Sequence, residues 1–325
     1  MTPLRPWRIA RAAVLSGLSL MAVLAHAEYP DKPIRMVVGF GPGTGSDIQT
    51  RAFADALARE LKVSVVVENK PGASGALAAA AVAAAAPDGY TLIFGTTLFV
   101  TLPLMNPAVK YNAVRDFTAI GTLGKGPFIV YTANKPTSPA TLRELLTLMK
   151  NTSVSFGSIG SGTFSHLATV RMMQQAGVNA VHIPYKSSPQ EMQDVVAGNL
   201  LFATDSSTAG LPLVRNGLLR ALAVTTKNRM ASLPDVPTVG EVLGNDYEHT
   251  VWTGVLAPAG VPPDVVHKLS VATAAAVASP ELQARYAQME IQPFSLDAAA
   301  FASHIRGEMP FWKDFLQRAD IKLEP

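Results

Sequence analysis

The chain has no cysteine among its 325 residues. This absence excludes disulfides, thiolate nucleophiles and metal sites built on cysteine. Charged residues are sparse at 16%, and aromatic residues make up 7%. No basic stripe with interleaved aromatic side chains occurs, so no nucleic-acid partner is expected. The composition, rich in alanine, glycine and proline, favours a compact α/β protein.

Long hydrophobic runs are also absent, except at the N-terminus. Three arginines within residues 5–11 precede an apolar run over residues 12–24, and small residues follow at Ala25 and Ala27. The run is shorter than the roughly 20 residues that a membrane span needs. The pattern predicts a signal peptide over residues 1–27, cleaved after Ala27, with an uncleaved anchor as the alternative.

The predicted signal peptide accounts for the net positive charge. The whole chain has 27 basic and 24 acidic residues, and residues 1–27 contain three arginines and no acid. The remaining chain is therefore formally neutral. Its charge gives no indication of a polyanionic partner.

Short β-branched runs alternate with helical patterns along the rest of the chain. This alternation predicts parallel sheets with right-handed crossovers, in two α/β units that meet near residues 127 and 250. The final segment can return to the first unit. Predicted strands cover residues 34–40, 63–68, 90–95, 128–132, 154–158, 182–185, 200–204, 221–224 and 254–257, and the clearest helices cover 76–86, 141–150, 262–278, 280–289 and 301–319.

Two loops share one design. The first loop, residues 41–47, joins a strand to a helix that Asp47 can cap, and the second loop, residues 158–166, also joins a strand to a helix. Helix N-termini present unpaired amides and a partial positive charge, and glycines let a ligand approach them. Two such loops can hold a carboxylate at the carboxyl edge of the strands without lysine or arginine. Each loop alone can also be an ordinary tight turn.

Other residues can line the same cleft. Asp205 follows a predicted strand and either caps a turn or accepts a hydrogen bond from an ammonium, hydroxyl or water of a ligand. Phe40 can form an apolar wall or belong to the core, and Asp47 is interpreted chiefly as a helix cap. The complete set of predicted ligand-binding residues is Phe40, Gly43, Thr44, Gly45, Ser46, Asp47, Thr96, Ser158, Gly160, Ser161, Gly162, Thr163, His166 and Asp205.

Enzyme signatures are missing from both loops. The first loop matches neither a dinucleotide-binding fingerprint nor a phosphate-binding P-loop, and Ser161 lies in no G-x-S-x-G elbow. The histidines lack metal-ligand spacing, and His166 and His182 are interpreted as structural. We therefore expect no catalytic residue, no cofactor and no metal. A secreted α/β hydrolase that uses Ser161 or Ser165 with His166 is the alternative.

Several motifs occur in one order along nearly the whole mature chain. The sequence resembles Bug-type (TctC) substrate-binding receptors of the tripartite tricarboxylate transporters. The motifs that carry the resemblance are Y-P-D-K-P-I-R at 29–35, V-V-E-N-K-P-G-A at 66–73, P-D-G-Y-T-L at 87–92, R-D-F at 115–117, H-I-P-Y-K at 182–186, L-R-A-L-A-V-T at 219–225, L-P-D-V-P-T at 233–238 and W-T-G at 252–254.

The resemblance implies a type II-like periplasmic binding protein of the Venus flytrap kind. Each lobe would be a mainly parallel sheet flanked by helices, with lobe 1 formed by residues 28–127 and 251–325 and lobe 2 by residues 128–250. It further implies a monomeric periplasmic receptor that holds a carboxylate between two pincer loops and delivers it to membrane permease subunits. The carboxylate could be a dicarboxylate, an amino acid or an aromatic acid. A sensor for a membrane signalling partner is a further alternative.

Three departures from the family pattern concern the ligand rather than the fold. Thr44 stands where the first loop usually has a second glycine, and Ser187 stands where glycine usually follows the Tyr-Lys pair. The run Ser206-Ser207-Thr208 is unusually rich in hydroxyl groups. These changes leave the identity of the carboxylate open.

Overall fold

The computed structural model describes residues 29–319. The predicted signal peptide and its cleavage site lie outside these residues. Within the described part, no helix combines the length and the apolar character that a membrane crossing requires.

The first lobe begins with three parallel strands. The central strand β1 pairs with β2 on one side and β3 on the other, and buried aliphatic side chains on its two faces place it between helices. The alanine-rich helix α2 ends at Ala83, three residues earlier than predicted. Helix α3 contains Pro103, which concealed it in the sequence. The elements are β1 (Ile34–Val38), α1 (Gly45–Leu61), β2 (Val65–Asn69), α2 (Ala76–Ala83), β3 (Thr91–Thr96) and α3 (Thr97–Met105).

One long strand, β4 (Phe117–Ala133), passes from the first lobe into the second. Its residues 117–127 pair antiparallel with β9 (Thr250–Pro258), and its residues 128–133 pair with strands of the second lobe. The prediction of a strand over 128–132 alone was too short. Glycines and Pro127 interrupted the pattern, whereas the structure accommodates Gly121 and Gly124 at shifts in strand register.

The second lobe, like the first, is built around three parallel strands. Strand β5 pairs in parallel with β6 and β7, and β4 adds antiparallel pairings to β7 and β8. Helix α7 follows β7 directly and contains Pro212, so the sequence pattern did not reveal it. The elements are α4 (Leu142–Asn151), β5 (Ser155–Ser158), α5 (Phe164–Ala176), β6 (Val181–Pro184), α6 (Ser188–Ala197), β7 (Phe202–Ser206), α7 (Ser207–Arg215), β8 (Leu219–Val224) and α8 (Val239–Leu243).

The chain returns to the first lobe along β9. Helices α9 (Pro263–Ala278) and α10 (Pro280–Gln288) then pack against α1. The last helix, α11 (Ala298–Ala319), contacts both lobes. Phe301 packs on Trp252 with ring centroids 5.0 Å apart, and Trp312 packs on Phe164 of the second lobe at 5.7 Å. The lobes are thus connected by two strands and bridged by one helix.

Candidate ligand-binding site

A cavity of about 80 Å³ lies between the lobes, where the two connecting strands pass from one lobe to the other. Gly126, Pro127 and Phe128 of β4 line it, together with Val251 and Thr253 of β9. Both strands are hydrogen-bonded to each other at this point, so the floor of the cavity is a fixed part of the sheet.

The first loop supplies one wall through the N-terminus of α1. Thr44, Gly45 and Ser46 line the cavity, and Thr44 caps the helix by accepting a hydrogen bond from the amide of Asp47 at 3.3 Å. Among the described residues, the amides of Gly45 and Ser46 have no protein acceptor. Such free amides at the positive end of a helix can bind an anion.

Gly45 also sets how closely the lobes approach. A Cβ atom at this position would lie 3.0 Å from the hydroxyl oxygen of Ser206, across the cavity. Two hydrogen bonds join the lobes, from Ser74 Oγ to the carbonyl of Ser161 at 3.5 Å and from Ser207 Oγ to the carbonyl of Met289 at 2.7 Å. The structure therefore represents a closed arrangement of the lobes.

Asp47 does not line the cavity. Its carboxylate accepts hydrogen bonds from the amide of Gly43 at 3.0 Å, Arg51 Nε at 3.0 Å and Asn69 Nδ2 at 2.8 Å. Burial alone would raise its pKa, but these hydrogen bonds outweigh burial and hold the pKa below its ordinary value. The expectation that Asp47 caps α1 is wrong, because Thr44 takes that position and Asp47 instead braces the first loop from inside.

Two more predicted residues on the first lobe lie at different places. Phe40 lines a small void of about 20 Å³ with Gly39 and Tyr111, and Thr96 lines both this void and the cavity between the lobes. Thr96 lines the cavity and caps α3 through its hydroxyl oxygen, which accepts a hydrogen bond from the amide of Leu98. The roles of both residues in ligand binding remain predictions.

Three amides of the second loop donate to side chains of the same loop. The amide of Ile159 donates to Ser165 Oγ at 3.3 Å, that of Gly160 to Ser158 Oγ at 3.2 Å, and that of Gly162 to His166 Nδ1 at 3.0 Å. Only Ile159 of this loop lines the cavity. The predicted residues Ser158, Gly160, Ser161, Gly162, Thr163 and His166 are not among the cavity-lining residues, and their place in a ligand site remains a prediction.

The two histidines near this loop are buried against each other. The rings of His166 and His182 stack with centroids 4.1 Å apart. Burial lowers the pKa of His166 to about 3 and that of His182 to about 4. Both are therefore neutral at physiological pH and offer no charge to a carboxylate. Since His166 Nδ1 accepts from the amide of Gly162, this nitrogen is not available as a base for Ser161 or Ser165.

The second lobe contributes a different set of groups to the cavity. Asp205, Ser206, Ser207 and Thr208, at the N-terminus of α7, line it together with Ser188 at the start of α6. The side chain of Ser206 makes no capping hydrogen bond, so the first amides of α7 lack a side-chain cap. The hydroxyl-rich run 206–208 was noted in the sequence but not assigned to the site. Gln49 and Ser188 also line the cavity, but no sequence motif indicated them.

A pair of carboxyl groups is buried beneath this wall. Asp205 is 1% exposed, and its Oδ1 accepts from the amide of Ser206 at 2.6 Å. Glu191 of α6 is fully buried, and burial together with the neighbouring charge of Asp205 raises its pKa well above the ordinary value. Burial therefore favours the protonated form of Glu191. A proton held by the pair limits its repulsion of a bound carboxylate.

The cavity offers an anion helix dipoles and hydroxyl groups rather than basic side chains. Among the described residues that line it, none is lysine or arginine. Between residues 29 and 319, no group of three or more acidic or histidine side chains is arranged to hold a metal ion. Its chemistry combines amide and hydroxyl donors with apolar side chains such as Phe128, Ile159 and Val251.

The tripartite tricarboxylate transporter family receptor (TctC) pattern matches residues 49–321. The chain belongs to this receptor family. A UPF0065 protein of Bordetella bronchiseptica is 32% identical over 312 residues, covering 96% of this chain and 92% of that protein. The solved periplasmic binding protein BugD superposes with a TM-score of 0.84 at 30% identity, covering 91% of this chain and 100% of that chain.

A second receptor of the same fold was solved with a ligand. Rpa4515 of R. palustris, with adipate, superposes with a TM-score of 0.86 at 28% identity, covering 91% of this chain and 100% of that chain. These similarities confirm the predicted resemblance and the two-lobed α/β fold of the TctC receptors. BugD, with which this chain superposes, is a periplasmic binding protein.

Proposed function

We propose that this protein is an extracytoplasmic solute receptor that binds a small carboxylate in the cavity between its lobes. The observation that carries the proposal is the pair of helix N-termini, α1 from one lobe and α7 from the other, that line one cavity without a basic side chain. The adipate bound by a receptor of the same fold supports a carboxylate ligand.

The proposal extends to the protein's place in transport. The receptor acts in the periplasm as a monomer after cleavage behind Ala27, and it delivers its ligand to membrane permease subunits of a tripartite transporter. It performs no catalysis. Lobe 1 comprises residues 28–127 and 251–325 and lobe 2 residues 128–250. In support of these boundaries, β4 changes its pairing partners at Phe128 and β9 begins at Thr250.

Thermal unfolding with a panel of carboxylates tests this function. The panel contains adipate, other dicarboxylates, amino acids and aromatic acids. A true ligand at about 100 times its dissociation constant adds roughly 2.7 kcal/mol to the free energy of unfolding. Mass spectrometry of the recovered ligand should show it chemically unchanged. Absence of any stabilising carboxylate, or conversion of the ligand, would contradict the proposal.

A further inference from the structure

A second, larger space adjoins the cavity. It is a groove of about 490 Å³ between α6 and α7. Met192 and Val196 of α6 form one side, and Ala209 and Leu213 of α7 form the other. Leu218, which follows α7, also lines the groove and is 47% exposed. Exposed apolar side chains in a concave surface favour an apolar occupant.

The groove and the cavity meet at the same helix N-termini. Ser188 and Thr208 line both spaces. Gly43 of the first loop lines the groove, and the adjacent Thr44 lines the cavity. The first lobe therefore borders both spaces when the lobes are closed. A molecule held by the amides of α1 and α7 would have a direct path into the groove.

The volumes indicate that the cavity alone does not hold a whole ligand. Ligand pockets in proteins usually enclose about 300–1,000 Å³. The cavity, at about 80 Å³, is well below this range, whereas cavity and groove together fall within it. The cavity is large enough for a carboxylate group and a few further atoms.

The groove differs from the cavity in chemistry. Among the described residues that line the groove, none is acidic or basic, and Gln193 is the largest polar side chain. A second carboxylate placed there would lose its water without gaining a partner, which is costly. A hydrocarbon group would instead remove apolar surface from water.

We infer that the ligand is a carboxylate with an uncharged apolar tail of several carbons, whose tail lies in the groove between α6 and α7. The inference rests on the proposed function, because the carboxylate must occupy the cavity for the tail to reach the groove. It makes the groove a determinant of ligand choice in addition to the polar cavity.

Calorimetric titration with butanoate, hexanoate, octanoate and adipate tests the inference. In the wild-type protein, affinity should rise roughly fourfold per added methylene from butanoate to octanoate. Ala209→Phe, which fills the groove, should remove this dependence on chain length. Val196→Thr, which keeps the side-chain shape, should weaken octanoate more than butanoate. Ala275→Phe and Val271→Thr, on the exposed face of α9, are the matched controls and should change nothing.

The outcomes separate this inference from the function on which it rests. Failure of every carboxylate to bind, adipate included, would overturn the proposed function. Binding of butanoate or adipate without any gain for octanoate, and without an effect of Ala209→Phe or Val196→Thr, would overturn the inference alone. A change in self-association of Ala209→Phe by sedimentation, with all ligand affinities intact, would assign the groove to a second copy of the chain and also overturn it.

Discussion

The first and second loops are alike in sequence and share several hydrogen bonds, such as that from Gly43 to Asp47 and that from Gly162 to His166, but they differ in their position relative to the cavity. In the first loop, Thr44 caps α1 and the amides of Gly45 and Ser46 stay free beside the cavity. In the second loop, Ser158, Ser165 and His166 accept hydrogen bonds from the loop's own amides. A glycine-rich turn before a helix is thus not sufficient for a ligand site. The position of the helix N-terminus relative to the cavity separates the two loops, since α5 also begins without a side-chain cap.

The largest expected effect comes from glycine substitutions in the two loops. Gly45→Leu places a side chain against Ser206 and fills the cavity, so carboxylate affinity should fall by about 100-fold or more, equivalent to roughly 2.7 kcal/mol. Gly160→Ala, at a φ of 126°, should instead destabilise the fold by about 1–3 kcal/mol and leave the affinity of the folded protein within about threefold. Calorimetry and urea unfolding measure the two quantities.

Equal losses of affinity in the two glycine variants would contradict this contrast, since both loops would then contact the ligand. Loss of folding in Gly45→Leu would be visible by circular dichroism. In that case Gly45→Ala, whose Cβ would lie 3.0 Å from Ser206 Oγ, provides the milder change.

The next effect concerns the histidine that completes the second loop. His166→Leu removes the acceptor of the Gly162 amide in a buried setting, so the free energy of unfolding should fall by about 1–3 kcal/mol. Affinity for the best carboxylate should stay nearly unchanged. Urea unfolding and calorimetry check both statements. A loss of affinity larger than the loss of stability would indicate that His166 contacts the ligand.

Acid should affect the two loops differently. Burial lowers the pKa of both His166 and His249 from 6.5 to about 3. Between these pH values the unfolded chain therefore binds more protons than the native chain. The contribution of the neutral histidines to the free energy of unfolding is therefore complete above pH 6.5. It declines as the pH falls, by up to about 1.4 kcal/mol per pH unit for each histidine. His166→Leu should show a shallower decline in urea unfolding between pH 6.5 and pH 4.5.

Asp47→Asn is the control for this pH dependence. The pKa of Asp47 lies below its ordinary value of 3.8, so its stabilising contribution is present above that pH and is lost only in stronger acid. The variant should therefore retain the wild-type slope between pH 6.5 and pH 4.5. A flat wild-type profile in that range would show that the buried histidines do not resist protonation.

The smallest effect separates one serine of the first loop from one serine of the second loop. Ser46→Ala removes a cavity-lining hydroxyl and should lower carboxylate affinity roughly three- to tenfold if that hydroxyl bonds the ligand. Ser161→Ala, in the second loop, should leave affinity unchanged. Titration of both variants with the same carboxylate decides the comparison. A reversed order of the two effects would favour the second loop as the ligand-binding element.

Much of the fold could be predicted from periodicity. The β-branched runs located the parallel strands, and their alternation with helices indicated two α/β units. The missed elements contain local sequence features that tertiary contacts override. Pro103 and Pro212 lie inside α3 and α7, and the glycines of β4 lie at shifts in strand register.

The site could be predicted only in part. The N-terminus of α1 was identified because its amides depend on local sequence. The opposite wall was assigned to the second loop, while the structure brings the N-terminus of α7 to the cavity. Nothing local reveals that Ser165 and His166 fold back onto their own loop, or that Glu191 and Asp205 become neighbours.

A crystal structure with the most strongly stabilising carboxylate bound would test the central claim most directly. The account predicts carboxylate oxygens within hydrogen-bonding distance of the amides of Gly45 or Ser46 on one side and of Ser207 or Thr208 on the other. A carboxylate bound instead to the amides of residues 158–163, or outside the cavity between the lobes, would contradict it.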